Sequence, residues 1–390
     1  MPSQTPQAPQ ESPQTWDIFC KVIDNFGDIG VCWRLASQLA ERGQRVRLWV
    51  DDAQALAWMA PPCQQDTNPV EVQIWDADAP KRWLAMLQGG AASDIWVEGF
   101  GCDITEFIAA YDNMTLTLGK FSSKIAINLE YLSAEGFVAR THGLASPLRL
   151  HYAPPEAVGK WFFYPGFTAN TGGLLRETGL MERQNGFDRA QWLATQGITW
   201  RGERLISLFC YDNAALPNLL TQLMQGTQRS LLLVTPGKAA TAVRALLETA
   251  NFEILSPMSA SYGHSLLSIV HLPALSQTDY DHLLWSCDLN LVRGEDSLVR
   301  ALWAGKPFVW QIYPQDDGAQ FVKLQAFLGW LAPPADWRAA FLAWNMGQAL
   351  PALDWPAWQS SALAARARLL AQEDLCSQLL AFVAKKRLKS

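Results

Sequence analysis

Long apolar runs and metal-binding spacings are missing from these 390 residues, and so are basic clusters apart from the tail Lys385-Lys-Arg-Leu-Lys389. No apolar stretch approaches the roughly 18 residues that a membrane-spanning helix needs. The N-terminus has neither the basic nor the hydrophobic region of a secretion signal, so a cytoplasmic protein with no membrane partner is expected. Charged residues make up only 17% of the chain and the formal net charge is -6. Without the clustered Lys and Arg of a nucleic-acid footprint, no nucleic-acid partner is expected, and an acidic surface suits a basic one. The seven cysteines, at 20, 32, 63, 102, 210, 287 and 376, form no Cys-x-x-Cys pair. Several fall inside apolar runs and read as reduced core thiols. The five histidines, at 142, 151, 264, 271 and 282, show no His-x-x-x-His spacing; no metal site is expected. Also missing is a Gly-x-Gly-x-x-Gly turn after the first strand, which a nicotinamide dehydrogenase would want.

The length exceeds what one hydrophobic core usually supports, so two α/β domains are expected. Eighteen tryptophans are present, and Trp49, Trp75, Trp96, Trp285, Trp303 and Trp310 lie in or beside apolar runs, which predicts core packing. Residues 1–15 form a Pro/Gln tract that cannot bury apolar area and are expected to be disordered. Residues 16–185 alternate strand-like and helix-like runs, with strands predicted at Ile18–Ile23, Arg45–Val50, Val72–Trp75, Ile95–Val97 and Lys124–Leu129. The stretch 140–187 is rich in Gly and Pro and reads as long loops at a domain junction. A second alternating unit spans 186–355, with strands predicted at Arg204–Tyr211, Ser230–Thr235, Leu267–Leu272, Asp288–Arg293 and Pro307–Ile312. Residues 356–390 read as C-terminal helices packing back towards the first domain.

Two constellations carry chemistry. In the first strand-loop-helix unit, the loop Asp24-Asn-Phe-Gly-Asp-Ile-Gly30 places two carboxylates, Asp24 and Asp28, where a doubly wound sheet collects ligands. Acids there would repel a phosphate, so the loop is built for something cationic or protic, with one acid orienting the group and the other taking its proton. Helix capping by Asp28 is the alternative. In the second constellation, Arg293-Gly-Glu-Asp-Ser297 leads from a strand into a helix whose free N–H groups can accept a diphosphate, with Asp296 and Ser297 as cap-type residues and Arg293 adding charge-assisted bonds. Gly305 and Pro307 stop that helix. Phe209 and Tyr211 end a strand, where their rings can stack on or flank a base; Gln277, opening a helix, can bond a pyrimidine edge, and Tyr313 follows a strand in the same way. Core packing and a solvated helix start are the alternatives for these.

Asp24–Gly30 together with Arg293–Ser297, Gly305-Lys-Pro307, Ile312-Tyr-Pro-Gln315, Glu130–Glu135 and Gly172-Gly173 resembles the EarP family of protein-arginine rhamnosyltransferases, from about Trp16 to the C-terminal helices. The resemblance implies a GT-B glycosyltransferase, with two Rossmann-like domains facing a central cleft. It implies inverting transfer of L-rhamnose from dTDP-β-L-rhamnose to an arginine of elongation factor P, the partner protein, with relief of stalling at proline runs downstream and no cofactor. By the same resemblance Asp28 is a general base, Asp24 orients the guanidinium and Glu295 is a third required acid. Phe209, Tyr211, Gln277, Arg293, Asp296, Ser297 and Tyr313 then map to the dTDP pocket. Glu295 beside a diphosphate would have to face sugar hydroxyls or pair with Arg293. Ala274 departs from relatives that carry an aromatic there, which leaves one wall of the thymine pocket open. A GT-B enzyme with another nucleotide sugar and a non-protein acceptor, and a non-catalytic elongation factor P binding module, are the alternatives.

Overall fold

The computed structural model describes residues 13–388 apart from 24–25, 61–69, 119–122, 147, 149, 155–156, 250–252, 257–260, 265 and 316–317. The first unit runs β1 (Thr15–Cys20), α1 (Gly27–Glu41), β2 (Arg45–Val50), α2 (Leu56–Met59), β3 (Val70–Ile74), α3 (Ala79–Gln88), β4 (Ile95–Gly99), α4 (Thr105–Leu118), β5 (Lys124–Leu129), α5 (Gly136–Thr141) and β6 (Val158–Phe163). Its strands are all parallel, in the order β3, β2, β1, β4, β5, β6. Strands β1, β4 and β5 are covered on both faces, so they read as continuous apolar runs rather than as alternating ones. Asp17 breaks the run in β1, and its fully buried carboxylate is answered by Arg47, at 2.6 and 2.9 Å, and by the indole N–H groups of Trp49 and Trp83.

The second unit contains α6 (Leu180–Asn185), α7 (Arg189–Thr195), β7 (Arg204–Leu208), α8 (Leu216–Met224), β8 (Ser230–Val234), α9 (Lys238–Thr249), β9 (Glu253–Ser256), β10 (Ser261–His264), β11 (Leu267–His271), α10 (Gln277–Ser286), β12 (Leu289–Arg293), α11 (Glu295–Ala304) and β13 (Phe308–Gln311). Helices α12 (Ala319–Leu331), α13 (Ala335–Asn345), α14 (Trp355–Leu370) and α15 (Leu375–Arg387) follow. The sheet order is β13, β12, β7, β8, β11, β10, β9, parallel except for the antiparallel β9–β10–β11 edge. Two α/β sheets with helices, facing one another across a cleft, make this the GT-B architecture.

Four sequence expectations need correction. Strand β6 lies within the stretch read as loops, hidden because it is an edge strand of mixed polarity beside Gly and Pro. The β9–β10 hairpin was not expected at all. Strand β1 begins at Thr15 and Gln14 is buried, so order starts before the end of the tail read as 1–15; residues 1–12 lie outside the described residues. Of the C-terminal helices, α15 joins the first core through Leu375, Cys376, Leu379 and Val383, but α14 packs Trp358, Ala362 and Ala365 into the second. All six tryptophans assigned to the core are buried there, as are the six described cysteines, which are free thiols; Cys63 lies outside the described residues. Among the described residues no helix is long and apolar enough to cross a membrane.

Candidate active site

Each sheet reverses direction beside its first strand, between β1 and β4 in one and between β7 and β12 in the other. Loops diverge at such points and leave a crevice. Both crevices open on the same cleft. One cavity, of about 300 Å³, is lined by Phe209, Tyr211, Arg293 and Ser297 from the second unit and by Phe26, Gly30, Trp58 and Met59 from the first. A neighbouring cavity of about 230 Å³ is lined by Asp28, Tyr131, Tyr313 and Lys323. Gly27, Gly294, Glu295 and Asp296 line both, so the two are halves of one groove.

Arg293 ends β12 with its guanidinium carbon 4.5 Å from the ring centroid of Phe209 and 4.4 Å from that of Tyr211. Such stacking offsets part of the cost of burying a cation. Its Nη1 is buried with no hydrogen-bond partner among the described residues. A charged donor left in that state is a strong demand for an anion. Tyr211 is fixed by its own N–H, which donates to Gln311 Oε1 at 2.9 Å, and by the edge of Tyr313, whose centroid is 5.5 Å away. Cys210 faces the core between these two aromatics, where burial pushes its thiol up to about 12 against the pull of Arg293; it is not poised as a nucleophile.

The helix start differs from its sequence reading. The N-cap of α11 is Gly294, at φ 69° and ψ -177°, a region essentially restricted to glycine, and no side chain caps the helix. Glu295, Asp296 and Ser297 are therefore the first three helical residues. This leaves their N–H groups, with the positive helix end, at the cavity. Glu295 lines the groove and does not pair with Arg293. Its Oε1 takes an ion pair from Lys323, and its Oε2 accepts from the N–H of Leu132 at 2.7 Å. Asp296 lies 3.2 Å from Arg34 of α1. Ser297 lines the first cavity beside Tyr280, whose hydroxyl is pushed up by burial and drawn back by Ser297.

On the opposite wall, the N-cap of α1 is Phe26, with no side-chain cap bond, so Asp28 is not the helix cap. It stands in the first turn, and its Oδ2 accepts from the N–H of Ile23 at 2.9 Å. Asp24 lies outside the described residues. Tyr313 is half exposed and belongs to this second cavity, not to the one that holds Phe209 and Ser297. Gln277 lines the first cavity, but its amide bridges the units, donating to Gly30 O at 2.9 Å. Beside Ala274 the same cavity is walled by Leu275, Trp58 and Met59.

Sequence reasoning missed a buried charge network at the junction. Arg34 meets Glu177 at 2.8 Å, Asp296 at 3.2 Å and Asp281 at 3.7 Å. Arg300 meets the same Glu177 at 2.7 Å and Asp281 at 2.5 Å. Burial alone would raise the Glu177 carboxyl, but Arg300 and Arg34 overcome it and hold it well below the usual range. Burial and Arg300 act against the charge on Arg34, and Asp296, Asp281 and Glu177 outweigh them. No local motif announces such a network, since Arg34 and Glu177 are 143 positions apart.

The family model described as elongation factor P (EF-P) rhamnosyltransferase EarP matches residues 16–384. A protein-arginine rhamnosyltransferase of Pseudomonas aeruginosa is 43% identical over 350 residues, covering 86% of this chain and 88% of that protein. Its counterpart in Pseudomonas putida is 42% identical over 392 residues, covering 94% and 98%. A solved structure described as the structural basis for EarP-mediated arginine glycosylation of translation elongation factor EF-P superposes with a TM-score of 0.63 at 32% identity, covering 95% of this chain and 99% of that one. MurG of Acinetobacter baumannii, at 14% identity and a TM-score of 0.50, covering 96% and 100%, shares the fold alone. By family model, identity and whole-chain architecture, this protein belongs to the EarP family of elongation factor P rhamnosyltransferases, enzymes of the GT-B class.

Proposed function

We propose that this enzyme transfers L-rhamnose from dTDP-β-L-rhamnose to an arginine side chain of elongation factor P, with inversion at the anomeric carbon, in the cytoplasm. The observation that carries the donor half is the buried Arg293, stacked on Phe209 and Tyr211 with an unanswered N–H, beside an uncapped helix start. Base and diphosphate have distinct partners there: rings for the one, Arg293 and the N–H groups of residues 295–297 for the other. The acceptor half rests on Asp28 in the adjoining cavity.

A guanidinium is charged at neutral pH and has no free lone pair, so it becomes a nucleophile only as a base removes a proton. Asp28 takes that proton while the nitrogen bonds to the anomeric carbon and the bond to the diphosphate oxygen breaks. Asp24 orients the guanidinium. Attack from the Asp28 side, opposite the diphosphate at α11, converts the β-linked donor into an α-linked product. Arg293 and the helix N–H groups meet the charge that develops on the leaving group, and the reading calls on no cofactor. Modified elongation factor P is then the form that relieves ribosomes stalled at proline runs. Intact-mass spectrometry of elongation factor P incubated with the enzyme and dTDP-β-L-rhamnose, followed by NMR of the anomeric proton, tests this. Absence of one added deoxyhexose would reject the reading, and a retained configuration would reject the inverting step.

A further inference from the structure

Both acids in the first turn of α11 reach the opposite domain, Glu295 with one oxygen while its other pairs with Lys323 of its own unit. Asp296 Oδ1 lies 3.2 Å from Arg34 Nε, and Glu295 Oε2 accepts from the N–H of Leu132 at 2.7 Å. Arg34 belongs to α1, whose first turn carries Asp28, and Leu132 follows β5 of the same sheet. Arg34 also donates to the carbonyl of Gln277, while the Gln277 amide returns a bond to Gly30 on α1. Helix α1 is thereby tied to the starts of both α10 and α11, the two helices that open on the donor cavity.

Net stability is a weak reason for such an arrangement. Replacing a buried ion-pair network by well-packed apolar side chains is often neutral or stabilising, so the charges need another explanation. What a planar guanidinium hydrogen-bonded to Glu177 and ion-paired with Asp296 and Asp281 does supply is a fixed separation and orientation. Arg34 is the member contributed by the first domain; Asp281 and Asp296 come from the second and Glu177 from the connection between them.

We infer that Arg34 is a positioning residue for glycosyl transfer: by holding Asp296 it sets the register between the helix that carries Asp28 and the helix start that carries Ser297, so that nucleophile and leaving group come into line. The inference deepens the proposed function and rests on it. The proposed donor contacts Phe209, Tyr211, Arg293 and Ser297 lie within the second unit, and although Arg34 and other first-unit residues also line that cavity, nucleotide affinity is expected to change less than the rate. Alignment depends on this link, and a misplacement of about 1 Å can cost about a hundredfold in rate.

The test uses the full-length chain and its Arg34→Met, Arg34→Lys, Asp296→Asn and Arg34→Met/Asp296→Asn variants. Steady-state transfer to elongation factor P is measured with dTDP-β-L-rhamnose, dTDP affinity by calorimetric titration, and the ligand-free shape by small-angle X-ray scattering. In Arg34→Met, kcat is expected to fall at least about tenfold, with the Kd for dTDP within about threefold of the parent. Arg34→Lys recovers part of the loss. The double variant is no slower than the slower single one, because removing either partner already breaks the link. Asp296 is only partly buried, so its variant decides the matter if Arg34→Met does not fold. Unchanged kcat in Asp296→Asn and Arg34→Met, or losses that multiply in the double variant, would overturn the inference. A collapse of dTDP affinity with kcat intact would make Arg34 a donor ligand instead. Should the parent enzyme transfer no rhamnose, the proposed function fails on its own account; the link is then read from scattering, where profiles of Arg34→Met identical to the parent overturn it and a widened molecule supports it.

Discussion

The carboxylate of Asp28 accepts a hydrogen bond from the N–H of Ile23 at 2.9 Å, folding the loop after β1 back onto the first turn of α1. Asparagine can accept the same bond through its amide oxygen but cannot take a proton. Asp28→Asn is therefore expected to fold normally and to bind dTDP as the parent does, while transfer to elongation factor P falls by about a hundredfold or more, the scale of a lost general base. Calorimetric titration and a mass-spectrometric rate assay check the two halves. Turnover near the parent's would remove Asp28 from the role of base. A lowered melting temperature with normal activity per folded molecule would mean that the Ile23 bond is its whole purpose.

Arg293 inverts the usual relation between activity and stability. Its guanidinium is buried and its Nη1 unanswered among the described residues, with two rings in place of a carboxylate. Arg293→Met keeps much of the side-chain volume and removes the desolvated charge. The ligand-free melting temperature is expected to stay level or rise, while dTDP affinity drops by about 1.5–3 kcal/mol, the range for a hydrogen bond to a charged group. Differential scanning fluorimetry with and without dTDP reads both effects together. A destabilised protein that still binds dTDP would show Arg293 to be a core residue.

Much of this site was legible because its chemistry is local. Glycine and aspartate in the loop after β1, and Arg293-Gly294 running from a strand into a helix, carry their turn and helix-start signals in a few consecutive residues. The contacts that no local pattern announces depend on distant partners. Glu295 is answered by Leu132, 163 positions away, and Gln277 by Gly30, 247 positions away. Each has a side chain that suits a nucleotide sugar, and only the closure of two separate sheets reveals that it is already engaged. Strand β6 escaped for a different reason: Gly159, Lys160 and Trp161 give it no clear period, and its pairing with β5 compensates for weak intrinsic preference.

The partly buried histidines are expected to make the protein less stable as the pH falls below neutral. Burial, and then Arg244, lower His271 to about 4 from an ordinary 6.5, and burial lowers His142 and His282 as well. A histidine held neutral in the fold takes up a proton more readily once unfolded. Its contribution is complete above about pH 6.5 and is lost as the pH falls towards the folded value. Glu177 does not share this window, because its depressed carboxyl stays ionised to much lower pH. Melting temperature should therefore decline from pH 7 to 5, and His271→Gln should flatten the slope. An identical slope in that variant would assign the decline to other groups.

Asp17 is expected to be the costliest single polar residue in the first core. Its carboxylate is fully buried and accepts from Arg47 Nε at 2.6 Å, Arg47 Nη2 at 2.9 Å, Trp49 Nε1 at 2.9 Å and Trp83 Nε1 at 2.8 Å. Asp17→Ala strands the Arg47 cation, itself buried, and leaves two indole N–H groups unanswered. Removing one partner of a buried pair costs about 3–5 kcal/mol. Urea unfolding followed by tryptophan fluorescence is a suitable probe, since Trp49 and Trp83 are among the eighteen reporters. Asp17→Leu combined with Arg47→Met removes both charges at once and should recover a good part of the loss, because the penalty arises from the unpaired ion and not from the absence of the pair. The two indole donors remain unsatisfied in that double variant, at about 1–3 kcal/mol each, so recovery should stop short of the parent. A cost below about 1 kcal/mol for Asp17→Ala, the scale of an exposed ion pair, would mean that water reaches Arg47 and that this corner of the core is more open than its burial implies.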